Sequence, residues 1–373
     1  MIEKGRISGG QMALLLFVST IGITVATIPY LAAKWAKQDM WMTPVPAAAS
    51  GLVAFFLAYF LHRRFPGETV IQYCPRILGW LGKVIPLVFL LTYIHANSFV
   101  LRIYADFVNG VFLQKTPQVV VMGGMALLCA AAVRGGLETV ARTAQFLALL
   151  TAGILGVVTF LSMPEWEMSN MLPILEHGFR SVARGAAAPA SWFNDFFIAT
   201  FLLPHVRKRD KAARWGVVGL VGSMLMLMLF HLIILFILGN QADRFLFPLF
   251  EAFRLINLAG FLEHVDAFLL AIWLFIIFIK ITLMHYAVVL GTAQWLGLAD
   301  YKPLSLPIAL LLVAVGGWTV PTLTDLNQFF DGESFVYSSL VQIAIPLSLL
   351  AVAVIRRVKR PRGEDGTSWE RDR

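Results

Sequence analysis

The stretch Ser19-Thr-Ile-Gly-Ile-Thr-Val-Ala-Thr-Ile-Pro29, STIGITVATIP, sets a glycine, a proline and four hydroxyls into a run that is apolar from Met12 to Val18. Gly22 lowers helix stability, and Pro29 removes a hydrogen bond to the preceding turn. In a lipid environment, freed backbone groups are tolerated only where they face protein or a cavity. Two readings follow. The stretch is a simple proline kink, or it is an unwound segment that lines a binding site.

Composition places this stretch in a membrane. The chain has 373 residues, 58% hydrophobic and 14% charged, where a soluble domain carries about 25% charge. Apolar runs of the length of a membrane span recur throughout, the mark of a multi-spanning helical protein. Short alternating segments are absent, which excludes an outer-membrane barrel. Lys4 and Arg6 before the first apolar run imitate a signal peptide. The run is too long for one and further spans follow, so it reads as a retained first helix.

Ten spans are expected, at 11–33, 44–62, 84–108, 118–134, 140–163, 185–204, 213–239, 264–296, 304–320 and 335–357. Segments near 170–184 and 246–262 read as amphipathic surface helices. With both termini placed in the cytoplasm, twenty-one of the 30 basic residues fall inside, and acids dominate outside at Asp243, Glu251, Glu263, Asp266, Asp325, Asp331 and Glu333. That asymmetry follows the positive-inside rule and favours an even number of spans. It also accounts for the net charge of +8. The charge reads as topology and attraction to anionic lipid, not as a nucleic-acid surface. The tail 361–373 is polar and expected to be disordered.

The sixth span, GAAAPASWFNDFFIATFLLPHV, is interrupted in its turn: Pro189 is followed by Ser191, Asn194 and Asp195, and the span closes at Pro204. Interruptions at corresponding places in two halves point to an inverted-repeat transporter fold. The expected architecture is an all-α integral membrane protein with one transmembrane domain over 1–360. Its repeats cover about 11–163 and 185–357, and its broken helices 1 and 6 meet at the midplane around a small polar ligand.

Three stretches carry a resemblance: ISGGQMALLLFVSTIG (Ile7–Gly22), FLLPHVRKRDK (Phe201–Lys211) and, above all, FPLFEAFRLINLAGFLEHVDAFLLAIWLFIIFIK (Phe247–Lys280). The chain resembles the spore germination permease family, the B subunits of nutrient germinant receptors, from about Ile7 to Arg357. That family lies in the amino acid–polyamine–organocation superfamily. The resemblance implies a LeuT-like fold of five plus five helices in the spore inner membrane. It further implies a germinant such as an amino acid, and an A subunit and a C lipoprotein as partners. One departure stands out. Where the family's sixth span carries Gly-x-Glu before its Leu-Phe-Leu-Leu-Pro run, this chain has Phe196 and Ile198, with Asn194 and Asp195 just upstream. Either Asp195 replaces the glutamate or the pocket has diverged.

The ligand is expected at Gly22, Ile23 and Thr24 of span one, Tyr93 and Asn97 of span three, Ser191, Phe193, Asn194 and Asp195 of span six, and Lys280 of span eight. An ammonium at the bilayer centre costs about 2.5–3.5 kcal/mol on insertion scales. Lys280 therefore faces the core. It pairs with a ligand carboxylate, fills the space of a coupling sodium ion, forms a structural pair with Asp195, or is a neutral, buried lysine. Thr20, Thr24 and Thr27 have a blander role open to them, bonding back to the preceding turn. His95 reads as packing, Trp192 and Phe193 as cover for an apolar side chain or as packing, and Arg102 with Asp106 as a local pair. Glu263 and Asp266 favour a helix N-terminus, and Gly123, Gly124, Gly216, Gly219 and Gly222 read as points of close helix approach.

Cys74 and Cys129 offer no metal spacing and are not expected to pair. There is no P-loop, GxGxxG, HExxH or nucleophile elbow, so no enzymatic activity, metal or cofactor is expected. Two functions compete: a ligand-sensing receptor subunit, and a proton- or cation-coupled amino acid permease. A conducting channel subunit has no ring of carboxylates or filter motif behind it.

Overall fold

A computed structural model describes residues 2–24, 28–255, 265–319 and 328–358, without the side chains at 23, 24, 111, 209, 265–270 and 319. Every regular element among them is helical, apart from a single bridge between Ile7 and Val206. Among the described residues six helices are long and apolar enough to cross a membrane: Pro44–Arg64, Ile85–Gly110, Leu137–Glu165, Ala212–Arg244, Ala271–Leu296 and Phe329–Ile355. Gly9–Gly22, Gln118–Arg134 and Lys302–Trp318 are shorter apolar helices.

In chain order the elements are α1 (Gly9–Thr24), α2 (Ile28–Ala36), α3 (Pro44–Arg64), α4 (Val70–Leu78), α5 (Ile85–Val111), α6 (Gln118–Arg134), α7 (Leu137–Ser162), α8 (Phe179–Gly185), α9 (Ala187–Phe193), α10 (Ala199–Leu202), α11 (Ala212–Leu238), α12 (Pro248–Arg254), α13 (Val265–Leu296) and α14 (Ser305–Thr319). The last, α15 (Phe329–Ile355), contains π-helical turns at Phe329–Glu333 and Leu340–Ala344. Local chemistry sets the boundaries. Pro44 opens α3, where its missing N–H costs nothing. Thr69 and Gln72 form a capping box for α4. Gly136, at φ +87°, makes the turn that starts α7.

α13 is the axis of the molecule. Of its apolar window 78% is buried, against 22% for Leu137–Glu165, so one helix is wrapped by protein and the other faces outward. α1 packs between α11 and α13, and α14 lies on α5 and α6. Gly219 lets α11 reach the α1 backbone: a methyl group there would stand 2.6 Å from the Ala13 carbonyl oxygen. Gly216 is pressed against Phe55, and Gly222 faces Phe17 more loosely. Gly123 and Gly124 depart from expectation. A methyl group at either would meet no described neighbour within 4 Å, because that side of α6 turns away from the other helices.

The expected sixth span is assembled from short windings: α9, a 3-10 stretch at Asn194–Ile198, α10, and a further 3-10 turn at Leu203–His205. The segment near 170–184 is not one amphipathic helix. It holds a 3-10 turn at Met168–Met171 and then only the short α8, with Gly178 at φ +71° before it. α12 begins the 246–262 segment, whose end lies outside the described residues, as do Glu263, the Asp266 side chain and the tail 361–373. Cys74 and Cys129 are both free and buried.

Candidate ligand-binding site

Lys280 is fully buried on α13. Its ammonium donates to the Ser19 carbonyl of α1 at 2.6 Å and to Asp195 Oδ2 of span six at 3.1 Å, and lies 4.5 Å from the centre of the Trp192 ring. A buried charge is tolerable only when paired and hydrogen-bonded. Here a carboxylate, a carbonyl and an aromatic face share the three N–H donors. Asp195 is satisfied in its turn, because its Oδ1 accepts from Gln342 Nε2 of α15 at 2.9 Å. One buried ion pair thus joins four elements: α1, α13, span six and α15.

The α1 backbone is held a second time. The Gly22 carbonyl, one of the last four of the helix and so without an intrahelical partner, accepts from Trp273 Nε1 at 2.9 Å. A methyl at Gly22 would sit 3.2 Å from Ile276 Cγ2 and 3.4 Å from Lys280 Cβ. The glycine therefore serves the approach of α1 to α13 as well as exposing its carbonyl. Ser19 Oγ and Thr20 Oγ1 bond back to Leu16 O at 2.9 and 3.1 Å, the blander role considered for hydroxyls in this stretch. The side chains of Ile23 and Thr24, and residues 25–27, lie outside the described residues.

Beside the ion pair lies a cavity of about 40 Å³, room for a few waters, between α5, span six and α15. Ser191 and Asp195 line it; Lys280 stands behind Asp195. Asn194 turns to α15, donating to Ser338 Oγ at 3.0 Å and Ser339 Oγ at 3.1 Å. The other expected residues face elsewhere. Phe193 packs on α3, where its carbonyl lies 2.9 Å from a methyl position at Gly51. Tyr93 meets Phe201 edge to face, and Asn97 donates to Ile281 O at 3.3 Å. The cavity face of α5 is instead Thr92, His95, Ala96 and Phe99, one residue around the helix. His95 packs against Phe99, Phe329 and Tyr337.

The contribution of α15 was not anticipated. Phe329, Phe330, Ser334, Tyr337, Ser338 and Gln342 all line the cavity. The available signal was Gln342, the one carboxamide in the expected span 335–357.

Further contacts tie together the elements around the centre. At α2, Lys34 Nζ lies 2.6 Å from Asp331 Oδ2, and the Trp35 indole donates to Oδ1 of the same carboxylate. Asp331 directly follows the cavity-lining Phe330. At the far part of span six, Val70 N donates to Thr200 Oγ1 at 3.1 Å, and Ile7 pairs with the segment after it through Ile7 N to His205 O and Arg207 N to Ile7 O, both 3.0 Å. Glu3 is buried there. It accepts from Gly5 N, from Tyr301 OH at 2.6 Å, and from Leu137 N at the start of α7.

Comparison with known proteins adds a second line of observation. A family model described as spore germination protein matches residues 6–316. Spore germination protein KB of Bacillus subtilis (strain 168) is 23% identical over 370 residues, 97% of this chain and 98% of that protein. Spore germination protein A2 of the same organism is 23% identical over 346 residues, 90% and 92% of the two chains. Among solved structures, MhsT in complex with L-phenylalanine superposes with a TM-score of 0.67 at 13% identity, over 93% of this chain and 89% of that one. The nucleobase-cation-symport transporter Mhp1, closed with bromovinylhydantoin bound, gives 0.68 at 11% identity, over 94% and 79%. The chain is a multi-pass, all-helical membrane protein with a LeuT-like fold.

Proposed function

This chain belongs to the spore germination protein family, and from that premise we propose that it is the B subunit of a germinant receptor, binding a small nutrient beside the Lys280–Asp195 pair. The reading takes the chain as one transmembrane domain of ten spans, five plus five in inverted repeat over 11–163 and 185–357. Spans one and six are its interrupted helices. Both termini lie in the cytoplasm, and the membrane is the inner membrane of the spore. The nutrient is a small polar molecule, an amino acid being the class that the family resemblance implies; an A subunit and a C lipoprotein complete the receptor.

The observation that carries the reading is the Lys280 ammonium 2.6 Å from the Ser19 carbonyl. A fixed cation on the α1 backbone repels a mobile one at the same place. This disfavours a sodium ion at that place and supports a centre that reports occupancy over one that couples a sodium gradient. Occupancy shifts the relative positions of α1, span six and α15, and the partner subunits respond to that shift through differential binding. Spores carrying Lys280→Met, compared with the double variant Lys280→Met with Asp195→Asn in which no charge is stranded, test this: germination should fail in both while the protein is still found in the membrane. An unchanged nutrient response would remove the centre from the mechanism.

A second reading, a proton- or cation-coupled amino acid permease, would take Lys34–Asp331 and Val70–Thr200 as its two closures. Alternating access needs two such closures. Uptake by the purified protein in proteoliposomes separates the two readings.

A further inference from the structure

The cavity beside the ion pair has a chemical character of its own. Among the described residues its wall carries no lysine or arginine, and Asp195 is its only carboxylate. Both Asp195 oxygens are engaged, one by Lys280 at 3.1 Å and one by Gln342 at 2.9 Å. Lys280 is itself buried behind Asp195 and tied to Ser19. The pair neutralises itself and offers no spare charge to a guest. A zwitterion would have to break a buried ion pair that the Ser19 carbonyl, the Trp192 ring and Gln342 all support, and breaking such a pair is costly.

The same wall has unused polar atoms. Trp192 Nε1, Ser334 Oγ and Gln342 Oε1 are buried and have no hydrogen-bond partner among the described residues. These residues are only 5%, 3% and 3% exposed. Buried polar groups are almost always paired, and these three orphans all belong to residues that line one small cavity. Their roles are defined. The indole N–H can only donate. Gln342 gives its Nε2 to Asp195, which leaves Oε1 as an acceptor. The Ser334 hydroxyl can do either. The set comprises one donor, one acceptor and one of both, all uncharged.

The remaining wall is aromatic. Trp192 and Phe330 stand 5.3 Å apart between ring centres, Phe99 and Phe330 5.2 Å, and His95 and Tyr337 5.7 Å. Ring faces accept a flat, weakly polar face and exclude water around it. The 40 Å³ now open is too small for such a guest, so the rings must part. Phe329 and Phe330 sit on a π-helical turn whose next residue, Asp331, is held by Lys34 and Trp35.

From these observations, and resting on the reading of this centre as a nutrient site, we propose that the cavity takes an uncharged ring compound with donors and acceptors on its rim, a pyranose, cyclitol or nucleobase, in preference to a zwitterionic amino acid. The ring lies among Trp192, Phe330 and Tyr337. Its rim accepts from Trp192 Nε1 and donates to Gln342 Oε1, and the Lys280–Asp195 pair stays closed beneath it.

The test uses the full-length protein in lipid nanodiscs. Tryptophan fluorescence and calorimetry follow titration with D-glucose, myo-inositol and uracil, and separately with glycine, L-leucine and L-phenylalanine. At least one neutral ring compound should bind saturably. Trp192→Phe, which keeps the ring and removes the N–H, and Ser334→Ala should each weaken it about tenfold. Gln342→Leu strands Asp195 Oδ1 and can harm folding, so those two variants decide. Neutral binding untouched by both would place the guest elsewhere and overturn the assignment. Amino acid binding that ignores Trp192→Phe and Ser334→Ala but is abolished by Asp195→Asn would overturn the uncharged class and leave the nutrient site standing. Silence of both panels on folded protein would overturn both.

Discussion

Lys280 Nζ and Asp195 Oδ2 stand 3.1 Å apart in a fully buried setting, and each is completed by a group from another element, Ser19 O for the cation and Gln342 Nε2 for the anion. Removing one member strands a buried charge. Lys280→Met and Asp195→Asn should each lower stability by about 3–5 kcal/mol, and the double variant should lose less than the sum of the two. Thermal unfolding of the four proteins in one detergent measures the coupling. Strict additivity would mean that the two groups do not interact.

Gly22 is placed where α1 meets α13. Gly22→Ala brings a methyl to 3.2–3.4 Å from Ile276 and Lys280, tight enough that α13 must yield by a few tenths of an ångström. A loss of about 1–3 kcal/mol is expected, as for an overpacked core, and Gly22→Leu should prevent folding. Trp273→Phe removes the donor to the Gly22 carbonyl and should cost about 1 kcal/mol. Stability curves of the three variants check the order Leu, Ala, Phe.

The helix positions were legible in the sequence because apolar run length is nearly sufficient to mark a membrane helix. Pro44–Arg64 and Ala212–Leu238 fall within two residues of their expected limits. The Lys280–Asp195 contact was open to inference too, since a lone lysine in an apolar span must find a partner. What stayed hidden was rotation. Tyr93 and Asn97 share a face of α5, but the cavity lies one residue further around, at Thr92 and His95, and periodicity alone does not say which neighbour a face meets. The π-helical turns of α15 were equally invisible, because Phe329 and Phe330 in the first and Leu340, Val341 and Gln342 in the second fit an ordinary winding.

Lys34 of α2 holds Asp331, which directly follows the cavity-lining Phe330. The lysine side chain is 41% exposed, so the pair contributes little to stability, about 1 kcal/mol or less. Its effect should be kinetic. Lys34→Ala should leave the unfolding temperature nearly unchanged and speed the labelling of a cysteine placed by Ser334→Cys. Thiol-reagent kinetics read this directly. Equal labelling rates in both backgrounds would show that access does not pass between Lys34 and Asp331.

Tyr301 holds the N-terminal segment by donating to Glu3 at 2.6 Å, and the same carboxylate caps α7 through Leu137 N. Burial, and then the bond to Glu3, push the Tyr301 phenol above its ordinary value. A phenol whose pKa is raised on folding contributes its full stability below the unfolded value of about 10 and loses it as pH rises through the folded value. The clasp should therefore be constant from pH 6 to 9, in round terms, and weaken only above about pH 10. Tyr301→Phe should remove that alkaline step and release the segment before α1 at every pH, at a cost of about 1–2 kcal/mol. Hydrogen exchange at residues 2–8 measures it. Exchange in Tyr301→Phe as slow as in the parent at pH 7 would mean that the Ile7–Val206 pairing, not Glu3, anchors the segment.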